Sequence, residues 1–428
     1  MKYDSISKQL FESNRQRFTP LLKDKALAVF CSNDQMPTNA DGTMPFKQNS
    51  DLFWLSGVDQ EESKLLLFPD CENENHREIL FLKETSDLIA IWEGAKLTKS
   101  EAFEVSGVKT VYWNSEFEEI LSQLMNDAEH VYLNSNEHAR ATSKVETQND
   151  RFNKWCQSKY NGKNYHKSAP ILHELRSVKD SIEIDLMQQA CNITEKGFRR
   201  ILNFIKPGVM EYEIEAELMH EFLINRSKGF AYEPIIASGS NACVLHYIDN
   251  NKQCKDGDLI LMDVGAEYAN YASDMTRCVP VNGSFSKRQK DVYNAVLKVM
   301  REAANMLRPG TMLSDYHKEV GLIMQSELIG LGLLDRHDIQ KQDPKKPAYK
   351  RYFMHGTSHF LGLDVHDVGL WDKPLKKGMV FTCEPGIYII EENLGVRIEN
   401  DLLVTQDKPF DLMENIPIEV EEIEELMR

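Results

Sequence analysis

A chain of 428 residues is too long for one ordinary hydrophobic core, so its length predicts two domains. Its composition, 42% hydrophobic and 27% charged, is typical of a globular protein, and no apolar run approaches the roughly 18 residues of a membrane span. The formal net charge of -17 opposes phosphate backbones. Neither a membrane protein nor a nucleic-acid-binding protein is therefore expected.

The first residues and the cysteines indicate a cytoplasmic protein. Residues 1–20 mix charged side chains with weakly spaced apolar ones and contain no signal-peptide core. The eight cysteines are scattered and form no Cys-x-x-Cys pair. Such a distribution fits free thiols in a reducing compartment better than a disulfide framework or a thiolate zinc site.

The first part of the chain is predicted to be an α/β domain over residues 1–165. Short apolar runs bounded by polar turns predict its strands. These runs are Ala26–Cys31, Lys64–Pro69, Glu78–Leu82 and His130–Leu133. The composition turns polar between Asn161 and Ser168, which predicts a linker over residues 166–175.

Residues 176–428 are predicted to form a second domain that begins with two helices. Asp180 can cap a helix whose apolar side chains recur every three or four positions and which Pro207-Gly208 ends. The periodic residues are Met187, Cys191, Thr194, Phe198, Ile201 and Ile205. A second helix is predicted over Glu211–Lys228, ended by the following glycine.

The same helix pattern returns further along the chain. Ser286 can cap a helix that Pro309-Gly310 ends, and another helix is predicted from Ser314 to about Leu328. The turn sequence of residues 204–210 matches that of residues 306–312 in character. A repeat with a period this long indicates a two-fold duplicated domain rather than a solenoid.

Two aspartates lie within apolar, strand-like sequence. Asp263 and Asp274 occupy two runs joined by a polar turn, so opposed strands of a hairpin are predicted. Burial of Asp263 would raise its pKa and destabilise the fold unless a cation compensates the charge. A hairpin with surface aspartates is the alternative, and the apolar neighbours of Asp263 argue against it.

Three of the twelve histidines lie within residues 355–367. His355 and His359 are four residues apart, as in the zinc-binding helix of many metalloproteases. The glycines of this stretch and its alternating apolar pattern predict extended chain instead. A histidine-rich surface loop is the alternative to a functional site.

Further acidic residues interrupt apolar strands near the end of the chain. Glu384 interrupts a nearly continuous apolar run, which Pro385-Gly386 ends or kinks. Arg397 and Glu399 follow in another strand, where their spacing places both side chains on one side. Together with the histidine stretch, these segments indicate one shared site.

The charges of that site predict two metal ions. Its carboxylates are Asp263, Asp274, Glu384 and Glu399. Gathered in a low-dielectric pocket they would repel one another, and two divalent cations would neutralise them. With one imidazole to complete the shell, this oxygen-rich ligation favours a hard ion such as Mn²⁺, with Zn²⁺ and Co²⁺ as alternatives.

Residues 176–428 resemble the aminopeptidase P and prolidase branch of the pita-bread metallopeptidases, relatives of methionine aminopeptidase. The segments that match the metal-site signatures of this family are residues 263–268, 273–277, 355–367, 384–388 and 396–401. Phe46–Gly57 is similar to a signature of the family's creatinase-like domain, with Lys47 and Trp54 in place of arginine and tyrosine. The resemblance implies an α/β (α+β) fold, in which a creatinase-like α/β domain precedes a pita-bread domain with an internal pseudo-two-fold repeat.

The resemblance also implies the metal ligands. Asp263 would bind one metal ion, and Asp274 and Glu399 would bridge both. His359 and Glu384 would hold the second ion. A hydroxide between the ions would attack the Xaa-Pro carbonyl, and Glu384 would pass a proton to the leaving nitrogen.

The remaining site residues are implied to face the substrate or to support the ligands. His246 and His366 would stabilise the developing oxyanion and orient the scissile bond. His355 would line the pocket for the proline. Arg397 and Tyr388 would hold the carboxylate ligands in orientation through hydrogen bonds.

The function implied is that of a metalloaminopeptidase, a hydrolase that removes the first residue of peptides with proline in second position. A prolidase restricted to Xaa-Pro dipeptides is the nearest alternative, and a non-catalytic peptidase-like binding protein is a further one. A creatinase-like amidinohydrolase would not need four converging carboxylates. The partners expected are peptide substrates and further copies of the chain, in a dimer or tetramer.

Overall fold

The computed structural model describes residues 2–343 and 345–428. The chain divides into two compact units. One unit is Ser5–Arg176, and the other is Ser177–Arg428 together with the segment that ends at Asp4. The division lies between Arg176 and Ser177, one residue beyond the end of the predicted linker.

The first unit contains a six-stranded mixed sheet. Its strands are β1 (Ala26–Cys31), β2 (Lys64–Leu67), β3 (Glu78–Leu82), β4 (Thr110–Trp113), β5 (His130–Leu133) and β6 (Asn164–Lys167). The strands lie in the order β4-β3-β2-β1-β5-β6, with β2 antiparallel to both of its neighbours and the other pairs parallel. The four predicted strands are confirmed, while β4 and β6 were not predicted.

Alternate side chains of the sheet form one face of a buried core. Leu27, Val29 and Val131 point to this face, and Phe117 and Leu121 pack against it from a helix. The helices of this unit are α1 (Lys8–Phe18), α2 (Ser50–Ser56), α3 (Asp87–Glu93), α4 (Lys99–Ser106), α5 (Phe117–Asp127), α6 (Gln148–Lys159) and α7 (Ala169–Ser177). The alternation of strand and helix gives the expected α/β unit.

Residues 166–175 differ from the predicted linker. They contribute to β6, which pairs in parallel with β5, and to α7. The strand is polar because it lies at the edge of the sheet, where its side chains are exposed or half-buried. A polar composition therefore marked an edge strand here rather than a connection between domains.

The second unit begins with a helix pair and a three-stranded antiparallel sheet. The helices are α8 (Ser181–Leu202) and α9 (Glu211–Ile224), and the strands are β7 (Ile235–Ser238), β8 (Leu259–Val264) and β11 (Met275–Pro280). The predicted cap is confirmed, because Asp180 Oδ1 accepts a hydrogen bond from the Ile182 N–H at 2.9 Å. The helix α9 ends before the predicted Lys228, since Arg226 has a positive φ of 72°.

A second helix pair and three-stranded sheet follow. The helices are α10 (Lys287–Ala304) and α11 (Leu313–Gly330), and the strands are β12 (Val380–Cys383), β15 (Asn400–Leu403) and β16 (Phe410–Asp411). Ser286 caps α10, as predicted, by accepting from the Gln289 N–H at 3.3 Å. This repetition of two helices and three strands is the predicted internal repeat of a pita-bread domain.

The unit also contains two short hairpins and two short α-helices. They are β9 (Glu267–Tyr268) with β10 (Tyr271–Ala272), β13 (Gly386–Ile389) with β14 (Leu394–Arg397), α12 (Arg336–Lys341) and α13 (Val420–Leu426). Within the described ranges, the helices are either too short or too polar to cross a bilayer.

Candidate metal centre and active site

Antiparallel pairing brings Asp263 and Asp274 close together. Asp263 lies on β8, and Asp274 directly precedes β11, which pairs with β8. Between them, a Cβ on Gly265 would lie 1.9 Å from the carbonyl oxygen of Ser273. Only glycine permits this approach, so the glycine two residues after Asp263 is explained by backbone packing beside the site.

Glu384 and Glu399 reach the same place from the second half of the repeat. Glu384 directly follows β12, and Glu399 lies between β14 and β15. The N–H of Glu399 donates to the carbonyl oxygen of Thr276 at 3.1 Å, and the Thr276 hydroxyl donates to Glu399 Oε2 at 2.6 Å. The two halves of the repeat therefore meet at these carboxylates.

The two ring nitrogens of His359 have different partners. Nδ1 lies 2.9 Å from the carbonyl oxygen of Phe360, so it carries the proton and donates to that oxygen. Nε2 lies 3.4 Å from Asp274 Oδ2 and 3.5 Å from Glu384 Oε1. The lone pair of Nε2 thus faces carboxylates, which is the tautomer that a metal-binding histidine needs.

The donors present fit a divalent metal ion. Asp274, His359 and Glu399 are buried, and one ligand atom from each lies within 4.8 Å of the others. An imidazole nitrogen combined with carboxylate oxygens is a donor set for a hard or borderline divalent cation. Asp263 and Glu384 adjoin this group, so the predicted ligands all belong to one cluster.

The ionised carboxylates of the cluster need positive charge nearby to be stable. Burial, reinforced by the charge of Asp263, raises the pKa of Asp274 well above its ordinary value. Burial and the charges of Asp274 and Glu384 do the same for Glu399. Burial, opposed by His359 and reinforced by Asp274, raises the pKa of Glu384 to about 7. Each shift shows that the ionised carboxylates are unfavourable here without further cations.

Arg397 connects Asp263 to Tyr388 and, through Tyr388, to His355. Its Nη2 donates to Asp263 Oδ2 at 2.6 Å, and its Nε donates to the Thr276 hydroxyl at 3.1 Å. Its Nη1 donates to the Tyr388 hydroxyl at 2.8 Å, which lies 2.8 Å from His355 Nε2. A continuous hydrogen-bond chain therefore runs from Asp263 to His355.

The three histidines predicted to face the substrate occupy different environments. Burial and the charge of Arg397 lower the pKa of His355 to about 4, so its ring is neutral. The ring of His366 lies edge-on to that of His359, with centroids 4.4 Å apart. His246 is exposed on the turn that follows the short 3-10 helix Gly239–Cys243.

Tyr232 belongs to the site but was not predicted from the sequence. Its hydroxyl lies 2.6 Å from Asp263 Oδ1 and 2.6 Å from Asp274 Oδ1, so it can donate to either carboxylate. Burial and these two charges raise its pKa well above the ordinary value, which keeps the hydroxyl protonated. It precedes β7 in a stretch with no clear periodicity, and no local signal distinguishes it from an ordinary core tyrosine.

We expect Tyr232→Phe to weaken metal binding by roughly 10- to 100-fold, because loss of a residue that orients ligands typically has that effect. Isothermal titration of the metal-free protein with Mn²⁺ measures the change. The matched control is Tyr293→Phe, since the Tyr293 hydroxyl donates at 2.8 Å to the carbonyl oxygen of Ile418 in the same unit. Equal Mn²⁺ affinity in the parent and the Tyr232 variant would contradict the role of this hydroxyl.

The sequence and the fold both match known peptidases. Residues 185–406 match metallopeptidase family M24, and residues 11–132 match the amino-terminal domain of aminopeptidase P. The chain is 34% identical to the Xaa-Pro aminopeptidase of Escherichia coli (strain K12), covering 99% of this chain and 98% of that protein. Its identity to the Xaa-Pro aminopeptidase of Haemophilus influenzae is 36%, with the same coverage.

A solved structure of zinc-substituted E. coli aminopeptidase P in complex with product superposes with a TM-score of 0.88 at 33% identity, covering 99% of both chains. The similarity thus extends over both units. The chain belongs to metallopeptidase family M24 and combines its catalytic fold with the amino-terminal domain of aminopeptidase P.

Proposed function

We propose that this protein is an Xaa-Pro aminopeptidase that uses two divalent metal ions. It would release the first residue from peptides whose second residue is proline. The observation that carries this proposal is the buried cluster in which Asp274, His359 and Glu399 bring ligand atoms within 4.8 Å of one another. The Xaa-Pro aminopeptidases of two bacteria, which match 99% of the chain, support the same substrate class.

In this proposal Asp263 would hold one ion and His359 and Glu384 the other, while Asp274 and Glu399 would contribute to holding both. Two divalent ions carry four positive charges, which balance four carboxylates in a buried site. The oxygen-rich donor set favours Mn²⁺, with Zn²⁺ and Co²⁺ as alternatives. When bound, such ions supply an activated water and polarise the substrate carbonyl.

The protein groups around the ions bind substrate and move protons. Glu384 would carry a proton to the leaving nitrogen, and its side chain is 20% exposed, so a substrate can approach it. His366 and His246 would donate hydrogen bonds to the developing oxyanion. His355, whose Nε2 is occupied by the Tyr388 hydroxyl at 2.8 Å, would contribute a neutral wall to the proline pocket.

Proline in second position explains why a dedicated enzyme is needed. An Xaa-Pro bond is a tertiary amide that offers no N–H, and the proline ring fixes φ. A site built to hold an extended N–H is poorly matched to such a bond. Specificity would therefore come from the shape of the pocket for the proline ring.

The test compares an Arg-Pro-Pro peptide with an Arg-Pro dipeptide in the presence of Mn²⁺. We expect the longer peptide to be hydrolysed at least about 10-fold faster, because an aminopeptidase binds substrate beyond the proline. An Arg-Ala-Ala peptide is the matched control and should resist cleavage. A chelator should abolish hydrolysis, and Mn²⁺ should restore it.

Other outcomes separate the alternatives. Turnover of the dipeptide alone would identify a prolidase. Absence of hydrolysis with any metal would favour a non-catalytic peptidase-like protein. A Glu384→Ala variant as active as the parent would refute the proposed proton transfer.

We also propose a cytoplasmic location and a homo-oligomeric state, either dimer or tetramer. The cysteines of the described chain are all free, which suits a reducing compartment. Cell fractionation tests the first proposal. Sedimentation equilibrium of the purified chain tests the second.

A further inference from the structure

Glu211 is a fully buried carboxylate outside the metal cluster. It is the first residue of α9, and none of its surface is exposed. Burial of an ionised carboxylate is strongly unfavourable unless the charge is hydrogen-bonded. The hydrogen-bond partners of Glu211 therefore indicate its structural role.

Both carboxylate oxygens of Glu211 accept several hydrogen bonds. Oε1 accepts from the Ser238 N–H at 2.8 Å, from the Ser238 hydroxyl at 2.7 Å and from Asn241 Nδ2 at 3.2 Å. Oε2 accepts from the Tyr247 hydroxyl at 2.7 Å and from the Lys252 N–H at 2.9 Å. Five donors thus converge on one side chain, and the N-terminus of a helix adds favourable electrostatics for an anion.

All of these donors lie on the segment 238–252, which we call the His246 loop. Ser238 lies at its start, Tyr247 directly follows His246, and Lys252 lies at its end. One carboxylate therefore fixes the beginning, the middle and the end of the loop. A contact between a single residue and three separate points of a segment restricts its backbone far more than one hydrogen bond does.

Apolar packing does not fix the exposed part of this loop. Val244 is 54% exposed and Ile248 is 46% exposed, and they flank His246 on either side. The opposite side of the loop is held closely, because a Cβ on Gly395 would lie 2.2 Å from the carbonyl oxygen of Ala242. The conformation at His246 thus depends on polar contacts at the loop's inner side.

A neutral side chain of the same size could not replace the carboxylate. A glutamine has one acceptor oxygen, and its amide group would face donors where Glu211 presents a second oxygen. If the amide group replaced Oε2, the Tyr247 and Lys252 donors would lack an acceptor. If it replaced Oε1, the donors of Ser238 and Asn241 would lack one. Unlike the carboxylates of the metal cluster, Glu211 accepts hydrogen bonds from five protein donors. Its carboxylate therefore serves to hold the His246 loop rather than to bind a metal ion.

We infer that Glu211 is a positioning residue for His246. It holds the loop in the one conformation that presents this exposed imidazole to the substrate. The inference rests on the proposed function, in which His246 contacts the reacting carbonyl. The hold of Glu211 on the loop is a separate claim that can be measured without activity.

The experiment uses the full chain and the substitutions Glu211→Gln, His246→Ala and their combination. With saturating Mn²⁺, Glu211→Gln should lower kcat/KM for Arg-Pro-Pro by roughly 10- to 100-fold, as expected when a reacting group is displaced by about an ångström. In the His246→Ala background the same substitution should have less than about a 3-fold effect, because residues that act as one unit are not additive. Hydrogen exchange of residues 239–252, followed by mass spectrometry, should accelerate in Glu211→Gln.

Glu213→Gln is the matched control. It lies on the same helix, and its carboxylate accepts from the Met210 N–H at 2.7 Å, away from the His246 loop. It should leave both kcat/KM and loop exchange near parental values. If Glu211→Gln does not fold, Tyr247→Phe removes one of the five donors, together with the acceptor of the Asn251 N–H, and is expected to shift the same two measurements in the same direction.

The outcomes separate this inference from the proposed function. Equal fold-losses from Glu211→Gln with and without His246, or unchanged exchange of the loop, would overturn the positioning role. A His246→Ala variant with parental activity would overturn it as well. If the parent hydrolyses no Xaa-Pro peptide, the proposed function fails, while faster exchange in Glu211→Gln still supports the hold on the loop and unchanged exchange refutes it.

Discussion

Replacement of Glu399 by glutamine should lower kcat/KM for an Xaa-Pro tripeptide by roughly 10³-fold or more, because Glu399 is a proposed metal ligand and loss of such a ligand removes several kcal/mol of transition-state stabilisation. The same substitution should not destabilise the metal-free protein. Activity with a range of Mn²⁺ concentrations and urea unfolding of the metal-free protein measure the two effects. Opposite demands of function and stability at one residue would identify a site built for cations.

The expected stability follows from the charges around Glu399. The residue is 2% exposed, and burial together with Asp274 and Glu384 raises its pKa well above the ordinary value. At neutral pH its ionised form is therefore unfavourable in the metal-free protein, and a neutral amide removes that repulsion. The new side chain can still accept the hydrogen bond that the Thr276 hydroxyl donates at 2.6 Å. We expect an unchanged or higher urea midpoint.

Glu392→Gln is the matched control for the same chemical change. Glu392 forms a surface ion pair with Arg288, whose Nη2 lies 2.7 Å from its Oε1. Because exposed pairs contribute little, both activity and stability should stay near the parent. Full activity of Glu399→Gln would remove this residue from the proposed ligands, and a large loss of metal-free stability would refute the charge argument.

The clustering of the carboxylates was predictable because their sequence context is unusual. A carboxylate such as Asp263 or Glu384 within an apolar strand must either face solvent or have its charge balanced by a cation or by hydrogen-bond donors. A buried carboxylate is therefore a candidate for a functional site. The register in which the strands pair cannot be read from any local sequence pattern and is seen only in the fold. Thr276 pairs with Asp263 on one side and bridges to Glu399 on the other, and this double pairing joins segments far apart in sequence.

Residues with ordinary sequence contexts were not predictable as parts of the site. Tyr232 resembles any core tyrosine, and Glu211 resembles any acidic residue in the first turn of a helix. Their roles arise from partners distant in the chain, the two aspartates in one case and the His246 loop in the other. The strand β6 has the polar composition of a linker because it lies at the edge of the sheet, and composition alone does not distinguish the two.

Substitution of Lys179 by methionine should destabilise the protein by about 3–5 kcal/mol, the usual effect of breaking a buried ion pair by removing one partner. Lys179 Nζ lies 2.8 Å from Asp367 Oδ2, and their side chains are only 2% and 1% exposed. Methionine keeps the length and apolar volume of the side chain, so the change is chiefly one of charge. Urea unfolding of the metal-free protein, followed through its midpoint, measures this loss of stability.

The ion pair between Lys179 and Asp367 lies next to the histidine stretch of the site. Asp367 directly follows His366 and donates its N–H to the carbonyl oxygen of Phe360 at 2.9 Å, so it closes the stretch that contains His359. Lys298→Met is the matched control, since Lys298 is 58% exposed in its pair with Glu327 and should affect the midpoint far less. Adding Asp367→Asn to Lys179→Met should restore part of the loss, because no unpaired charge then remains. Equal midpoints for the two lysine variants would mean that neutral packing, rather than the ion pair, holds the histidine stretch in place.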